Sequence, residues 1–362
     1  MKNIQTENTC LQLYPSAAAA WRAMYRDCAT ATESIELEQY ILKDDPVGRS
    51  FLKLFVRKAQ QGLTVRLVLD SIGSRTAAGS PLVEKLRAAG GDIRFFNPHS
   101  FLYLLSPSRL LPRNHAKTMV IDSKVGYIGG VCFAAYMRTW REMHVRLTGS
   151  LIKDIRQDFA NLWSSLAAGK RSWSDIKISH KKMLRYFANR PTWRLNPLYH
   201  ELMQQIRQAD KRILLVTPYF MPPRRLLREL KAAAERGVMV HIMTSAVTDV
   251  SLADRVARSY FPSLIQSGVK IHLFHKTVLH AKYAVIDCEW ATVGSMNLDY
   301  LSLLYNREAN LIIRDPDAVA AFADRFAVDS AETVRAVPAD WYTMSLWDRF
   351  VGRLGRALRR FL

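Results

Sequence analysis

One phrase occurs twice in this chain, as His115-Ala-Lys117-Thr-Met-Val-Ile-Asp122 and as His280-Ala-Lys282-Tyr-Ala-Val-Ile-Asp287. The two histidines lie 165 residues apart, and so do Gly129 and Gly294, which open the short turns Gly129-Gly130 and Gly294-Ser295. A lone H-x-K match means little, but two in step with matching flanks mark an internal duplication. A duplicated chain of 362 residues divides naturally into two units of ordinary domain size.

The apolar pattern around each phrase alternates between strand and helix. In the first half it predicts strands over 34–40, 64–69, 93–96, 118–122 and 143–148, with helices over 16–30, 47–61 and 82–89 and a further one ending near Trp163. In the second it predicts strands over 212–217, 238–243, 269–274, 282–287 and 308–313, with helices over 199–209, 226–236, 252–266 and 317–326. Glycines close several of the helices. This alternation predicts an α/β fold of two domains, each a β-sheet flanked by helices. The expected boundaries are a first domain over 1–168, a basic linker over 169–197, a second domain over 198–338 and an amphipathic basic helix over 339–362.

The formal net charge of +20 implies an anionic partner, either nucleic acid or the surface of an acidic membrane. The tail sharpens the choice. At 100° per residue, Leu346, Trp347, Phe350, Val351, Leu354, Ala357, Leu358, Phe361 and Leu362 share one side, while Arg349, Arg353, Arg356, Arg359 and Arg360 take the other. Such a helix either lies in a lipid headgroup layer or packs on the second domain with its basic face in water. Phe101-Leu-Tyr-Leu-Leu105 and Leu110-Leu111, just before the first phrase, either admit acyl chains or form a buried connector. No apolar run approaches the ~20 residues that span a bilayer, and Met1–Glu7 is no signal peptide. The expectation is a protein at the cytoplasmic face of the cell membrane, held peripherally. The cysteines Cys10, Cys28, Cys132 and Cys288 have no C-x-x-C spacing, which points to a reducing compartment and buried thiols, not a zinc site.

On a strand, a histidine two residues before a lysine puts both side chains on the same sheet face. Asp122 and Asp287 fall an odd number of positions further on, and should face away and brace the structure. If the copies pack face to face, His115, Lys117, His280 and Lys282 converge. Two imidazoles and two ammonium groups suit a phosphodiester. The lysines neutralise non-bridging oxygens, one neutral histidine attacks phosphorus, and the other, protonated, serves the leaving oxygen. No carboxylate cluster accompanies the phrases, so neither metal nor cofactor is expected. Glu142 lies 27 residues after His115, and Glu308 lies 28 after His280. Each is placed to orient an imidazole, its own copy's or the other's, or else to begin a strand in solvent.

H-x-K-x(4)-D followed by G-[SG] resembles the signature of the phospholipase D superfamily. The two copies, with Thr217-Pro-Tyr-Phe-Met-Pro-Pro223, Gly294-Ser-Met-Asn297-Leu-Asp299 and Asn306-Arg-Glu308-Ala-Asn310, resemble bacterial cardiolipin synthases of the short form without membrane spans over about residues 16–330. The resemblance implies two phospholipase D-like domains with mixed sheets, related by a pseudo-twofold and sharing one active site. It implies a catalytic set of His115, Lys117, Asp122, His280, Lys282 and Asp287, supported by Ser295, Asn297, Glu142 and Glu308. His115 would be the nucleophile, His280 the acid and base, and Lys117, Lys282 and Asn297 would hold the phosphate. Where the family often has Ser and Asn, the first copy has Gly130 and Cys132. The implied activity is phosphatidyl transfer to phosphatidylglycerol, forming cardiolipin. The partners would be anionic phospholipids and a membrane surface, with no nucleic acid. Hydrolysis to phosphatidic acid shares every one of these residues, and a metal-independent nuclease is the remaining alternative.

Overall fold

The computed structural model describes residues 3–6, 8–98, 111–168, 183–189 and 196–358. They form two eight-stranded mixed sheets. In order across the first lie Asn3–Thr6, Thr9–Ser16, Arg141–Gly149, Val125–Gly129, Thr118–Ile121, Ser34–Gln39, Thr64–Asp70 and Asp92–Phe96. The second runs Leu184–Ala188, Ala309–Ile313, Trp290–Gly294, Tyr283–Ile286, Arg212–Val216, Met239–Ser245, Lys270–Phe274 and Thr333–Arg335. From Arg141–Gly149 to Asp92–Phe96, and from Ala309–Ile313 to Lys270–Phe274, the orders correspond strand for strand. The directions match too: three parallel strands followed by an antiparallel set begun by the motif strand. The duplication in sequence is a duplication of sheet topology.

The sheets pack through a shared apolar layer. Val120, Ile128, Val145 and Leu147 from the first join Val216, Tyr283, Val285, Leu311 and Ile313 from the second in one buried cluster. Helices cover the other faces: Ala17–Ala29 and Pro46–Gln60 on the first sheet, Pro197–Gln208 and Arg224–Glu235 on the second. The motif strands are thus buried on both faces, which is why they read as continuous apolar runs and do not alternate. Helix starts are written locally. Asp45, Asn196 and Asp315 each accept a backbone N–H and are followed by a proline, which has no N–H to satisfy. Gly62 takes φ 89° past the end of Pro46–Gln60, a conformation a side chain would resist.

Three expectations need correction, and one pair of strands is new. The glycine turns close a strand each, Val125–Gly129 and Trp290–Gly294, hairpin partners of the motif strands. The linker is not all linker: Leu184–Ala188 is an edge strand paired with Ala309–Ile313. The helix expected over 252–266 is two, Ser251–Arg258 and Phe261–Gln266, because Pro262 cannot donate to the helical ladder and restarts it. The N-terminal strands Asn3–Thr6 and Thr9–Ser16 were not foreseen. The apolar stretch 101–105 and Leu110 lie outside the described residues.

The tail forms the helix Leu346–Leu358, opened by a reciprocal cap in which Asp348 N donates to Ser345 Oγ and Ser345 Oγ to Asp348 Oδ2. It packs on Ser251–Arg258, but not through its apolar stripe. Gly352 and Gly355 are the buried positions, and Asp348 is paired with Arg255. A side chain at Gly352 would come within 2.5 Å of the Arg255 carbonyl oxygen, so glycine sets the close approach. The large apolar residues face away, with Leu346 79% and Trp347 68% exposed and Phe350, Leu354 and Leu358 exposed beside them.

Candidate active site

The aspartates of the two phrases lie at the hairpin turns. Asp122 adopts φ 50°, and its carboxylate accepts from the backbone N–H of Thr32 (2.8 Å), Glu33 (2.8 Å) and Ser34 (2.9 Å). Asp287, at φ 52°, does the same for Asp210 (3.1 Å), Lys211 (2.8 Å) and Arg212 (2.9 Å). Each ties the motif hairpin to the start of the neighbouring parallel strand. Including them with the catalytic set therefore needs correction: they brace the motif strand at the end away from the histidines.

His115 and Lys117, like His280 and Lys282, sit in extended chain just before the motif strand. There the halves exchange backbone bonds. His115 N donates to Arg307 O (2.9 Å) and Arg307 N to Arg113 O (2.9 Å). His280 N donates to Arg141 O (2.7 Å) and Arg141 N to Val278 O (2.9 Å). Each motif is stitched to the residue just before the other half's glutamate. Glu308 consequently meets His115 Nδ1 at 2.9 and 3.0 Å, and Glu142 meets His280 Nδ1. Of the three readings open to the glutamates, the structure shows the crossed one.

A carboxylate at Nδ1 fixes the neutral tautomer with its proton there and leaves the Nε2 lone pair available. His115 and His280 line one cleft of about 370 Å³, with Asn297, Cys132, Tyr40, Tyr219 and Asp299. Burial holds both imidazoles below their ordinary pKa, against the pull of Glu308 on His115 and of Glu142 on His280. Burial raises the Glu142 carboxyl, but His280 and Lys282 outweigh it and keep it anionic. Lys117 and Lys282 are buried behind the histidines, with Nζ donating to the carbonyl oxygen of His115 (2.7 Å) and of His280 respectively. Burial, with help from Lys117, lowers Lys282 to about 7. An anion bound among these groups would favour the cationic forms that burial disfavours. Among the described residues, no group of three or more His, Cys, Asp or Glu is placed to hold a metal ion.

The copies differ beside the glutamates. Ser295 Oγ donates to Glu308 Oε2 at 2.5 Å, so Glu308 is held from two sides. At the corresponding Gly130 a Cβ would lie 2.3 Å from Glu142 Oε2, so the carboxylate as placed would have to shift to admit a side chain, and no hydroxyl meets Glu142 from that position. Cys132 is buried where the second copy has Asn297, and its carbonyl accepts from Trp21 Nε1 at 2.9 Å.

Sequence reasoning missed the residues that hold these segments in place. Arg307 is fully buried and pairs across the halves with Glu38 and Asp158. Arg141 pairs across them with Asp329, its Nε 2.9 Å from Oδ1. Arg113 grips Asp70 at 2.7 Å, and the same carboxylate accepts from Asn114 N. The signal was present as an Arg-Glu dipeptide in both copies, Arg141-Glu142 and Arg307-Glu308. Asp299, known from the sequence only within a family phrase, caps Ser302 N at 2.7 Å, and burial pushes its carboxyl up to about 6.

Two stacked mixed sheets with a His–Lys pair from each half at one cleft define a phospholipase D-like protein. Residues 25–163 and 202–329 match the family described as cardiolipin synthase, PLD-like domain, and the chain belongs to that family. It is 31% identical to a cardiolipin synthase of Clostridium perfringens (strain SM101), covering 99% of this chain and 77% of that one. It is 30% identical to a cardiolipin synthase of Listeria monocytogenes serotype 4a, with the same coverage of 99% and 77%. Among solved structures, the phosphatidylserine synthase of Haemophilus influenzae shares the fold at TM-score 0.77, with 15% identity over 99% of this chain and 96% of that one.

Proposed function

We propose that this phospholipase D-type enzyme forms cardiolipin by phosphatidyl transfer through a phosphohistidine. The crossed Glu308–His115 and Glu142–His280 pairs at one cleft carry the proposal. His115 Nε2 attacks the donor phosphorus, and an N–P bond forms as the bond to the headgroup oxygen breaks. Protonated His280 gives its proton to that oxygen. The hydroxyl of phosphatidylglycerol then enters, His280 takes its proton, its oxygen bonds to phosphorus, and the N–P bond breaks. Lys117, Lys282 and Asn297 hold the non-bridging oxygens, whose negative charge favours the protonated form of the nearby groups that burial disfavours. Glu308 and Glu142 hold the tautomers, and Ser295 holds Glu308. Water entering as the acceptor would give phosphatidic acid.

The substrates are lipids, so the enzyme works at a membrane surface, on its cytoplasmic face. No described helix is long and apolar enough to cross a bilayer, and the exposed apolar face of Leu346–Leu358 supports peripheral attachment. Purified protein on phosphatidylglycerol vesicles should yield cardiolipin and glycerol in equal amounts, and H115A should yield neither. Phosphatidic acid as the sole product would overturn the transfer.

A further inference from the structure

We infer that the protein carries a second, non-catalytic phospholipid site: a basic pocket beside the tail helix that binds the headgroup phosphate of an anionic lipid at the membrane surface. The inference deepens the peripheral-membrane reading and rests on it. The pocket, of about 320 Å³, is bounded by Pro222, Arg224, Leu227, Tyr260, Arg353, Arg356 and Ala357. Among the described residues, three arginines line it and no carboxylate does. Arg356 is set in place, with its guanidinium 4.7 Å above the Tyr260 ring and Nη1 donating to Ser259 O at 3.2 Å. Arg224 and Arg353 are exposed and reach the same space. Such a group fits a phosphate, which accepts hydrogen bonds from forked guanidinium donors.

The helix places this pocket at the level of the lipid headgroups. Gly352 and Gly355 sit against Ser251–Arg258, so the side that carries Trp347, Phe350, Leu354 and Leu358 points away from the protein. Arg353 and Arg356 project from the flank between these two sides, and Ala357 borders both the apolar side and the pocket. With the apolar side lying among acyl chains, the arginines stand at the phosphates. The net charge of +20 favours an acidic surface as the occupant.

The arrangement also reaches the catalytic cleft. Ser251–Arg258 presents Ala253 to the cleft and Arg255 to Asp348 of the tail helix. Pro222 borders the pocket, while its neighbour Met221 borders the cleft. A bound headgroup would therefore fix the orientation of the cleft wall relative to the bilayer.

The test is co-sedimentation of the full-length protein with vesicles of phosphatidylglycerol in phosphatidylcholine, and of phosphatidylcholine alone. R224Q/R353Q should weaken binding to the anionic vesicles by about tenfold or more, and R224K/R353K should recover part of it. K53Q/K85Q, which removes the same charge from exposed helix positions of the first half, should change binding far less. F350S/L354S should weaken binding to both vesicle types. Binding of R224Q/R353Q equal to wild type, or a loss no greater than that of K53Q/K85Q, would overturn the pocket. Wild-type binding by F350S/L354S would overturn the placement of the helix. H115A should bind as wild type does, so failure of the transfer chemistry and failure of this site are read separately.

Discussion

Glu142 comes from the first half of the chain and holds Nδ1 of His280 in the second. Removing its charge leaves burial and Lys282 unopposed, so the His280 pKa falls further. His280 must be protonated to serve the leaving oxygen. In E142Q the basic limb of the kcat/KM profile should therefore move to lower pH, and activity near pH 7 should fall about 10²-fold or more, with the loss shrinking as pH falls towards 4, where His280 itself titrates. A basic limb that stays in place would separate Glu142 from the protonation of His280.

Arg307 is buried between Glu38 and Asp158 and supplies the carbonyl that receives His115 N. E38Q leaves half of that pairing unmet and should cost about 3–5 kcal/mol of stability in denaturant unfolding. Because Arg307 adjoins Glu308, kcat should fall as well, while vesicle binding stays near the wild-type level. Unchanged stability would show that Asp158 alone satisfies Arg307.

Asp122 and Asp287 act on stability. Their carboxyls are held below the ordinary value: burial opposes this, and the three backbone N–H donors to each outweigh it. The stability they confer is thus present above the unfolded-state pKa, near 4, and is lost as pH falls through the lower folded value. D122N/D287N should lower Tm at pH 7 by several degrees, and the difference from wild type should shrink below pH 4. An equal difference at both pH values would point to shape, not charge, as the cause.

Cys132 borders the cleft but is buried, and burial pushes its thiol up. Iodoacetamide at pH 8 should label the exposed Cys288 and spare Cys132 and Cys28, with turnover retained. Peptide mass mapping reads the outcome, and inactivation that tracks labelling of Cys132 would contradict it.

The duplication and the alternation of strand and helix could be read from residue order, because each is a matter of period and spacing, whereas the convergence of His115, Lys117, His280 and Lys282 followed only on the condition that the copies pack face to face. The partner of each glutamate could not. Glu142 and Glu308 follow their own histidines at nearly equal spacing, and only the backbone bridges at Arg141 and Arg307 send each carboxylate across. The same limit holds for the tail. A helical projection shows which residues share a side, but not that Gly352 and Gly355 make the opposite side the one that packs. Leu184–Ala188 was hidden because a short strand at a sheet edge, set in basic chain, has no period long enough to stand out.

The two halves build one site with unequal histidines. A phosphatidyl donor whose nitrophenolate leaves without needing a proton separates their roles most directly. Wild type should release a burst of one equivalent per chain and then turn over. H280A should give the same burst and stall, and H115A should give none. A burst that survives in H115A, or two equivalents per chain, would contradict the account.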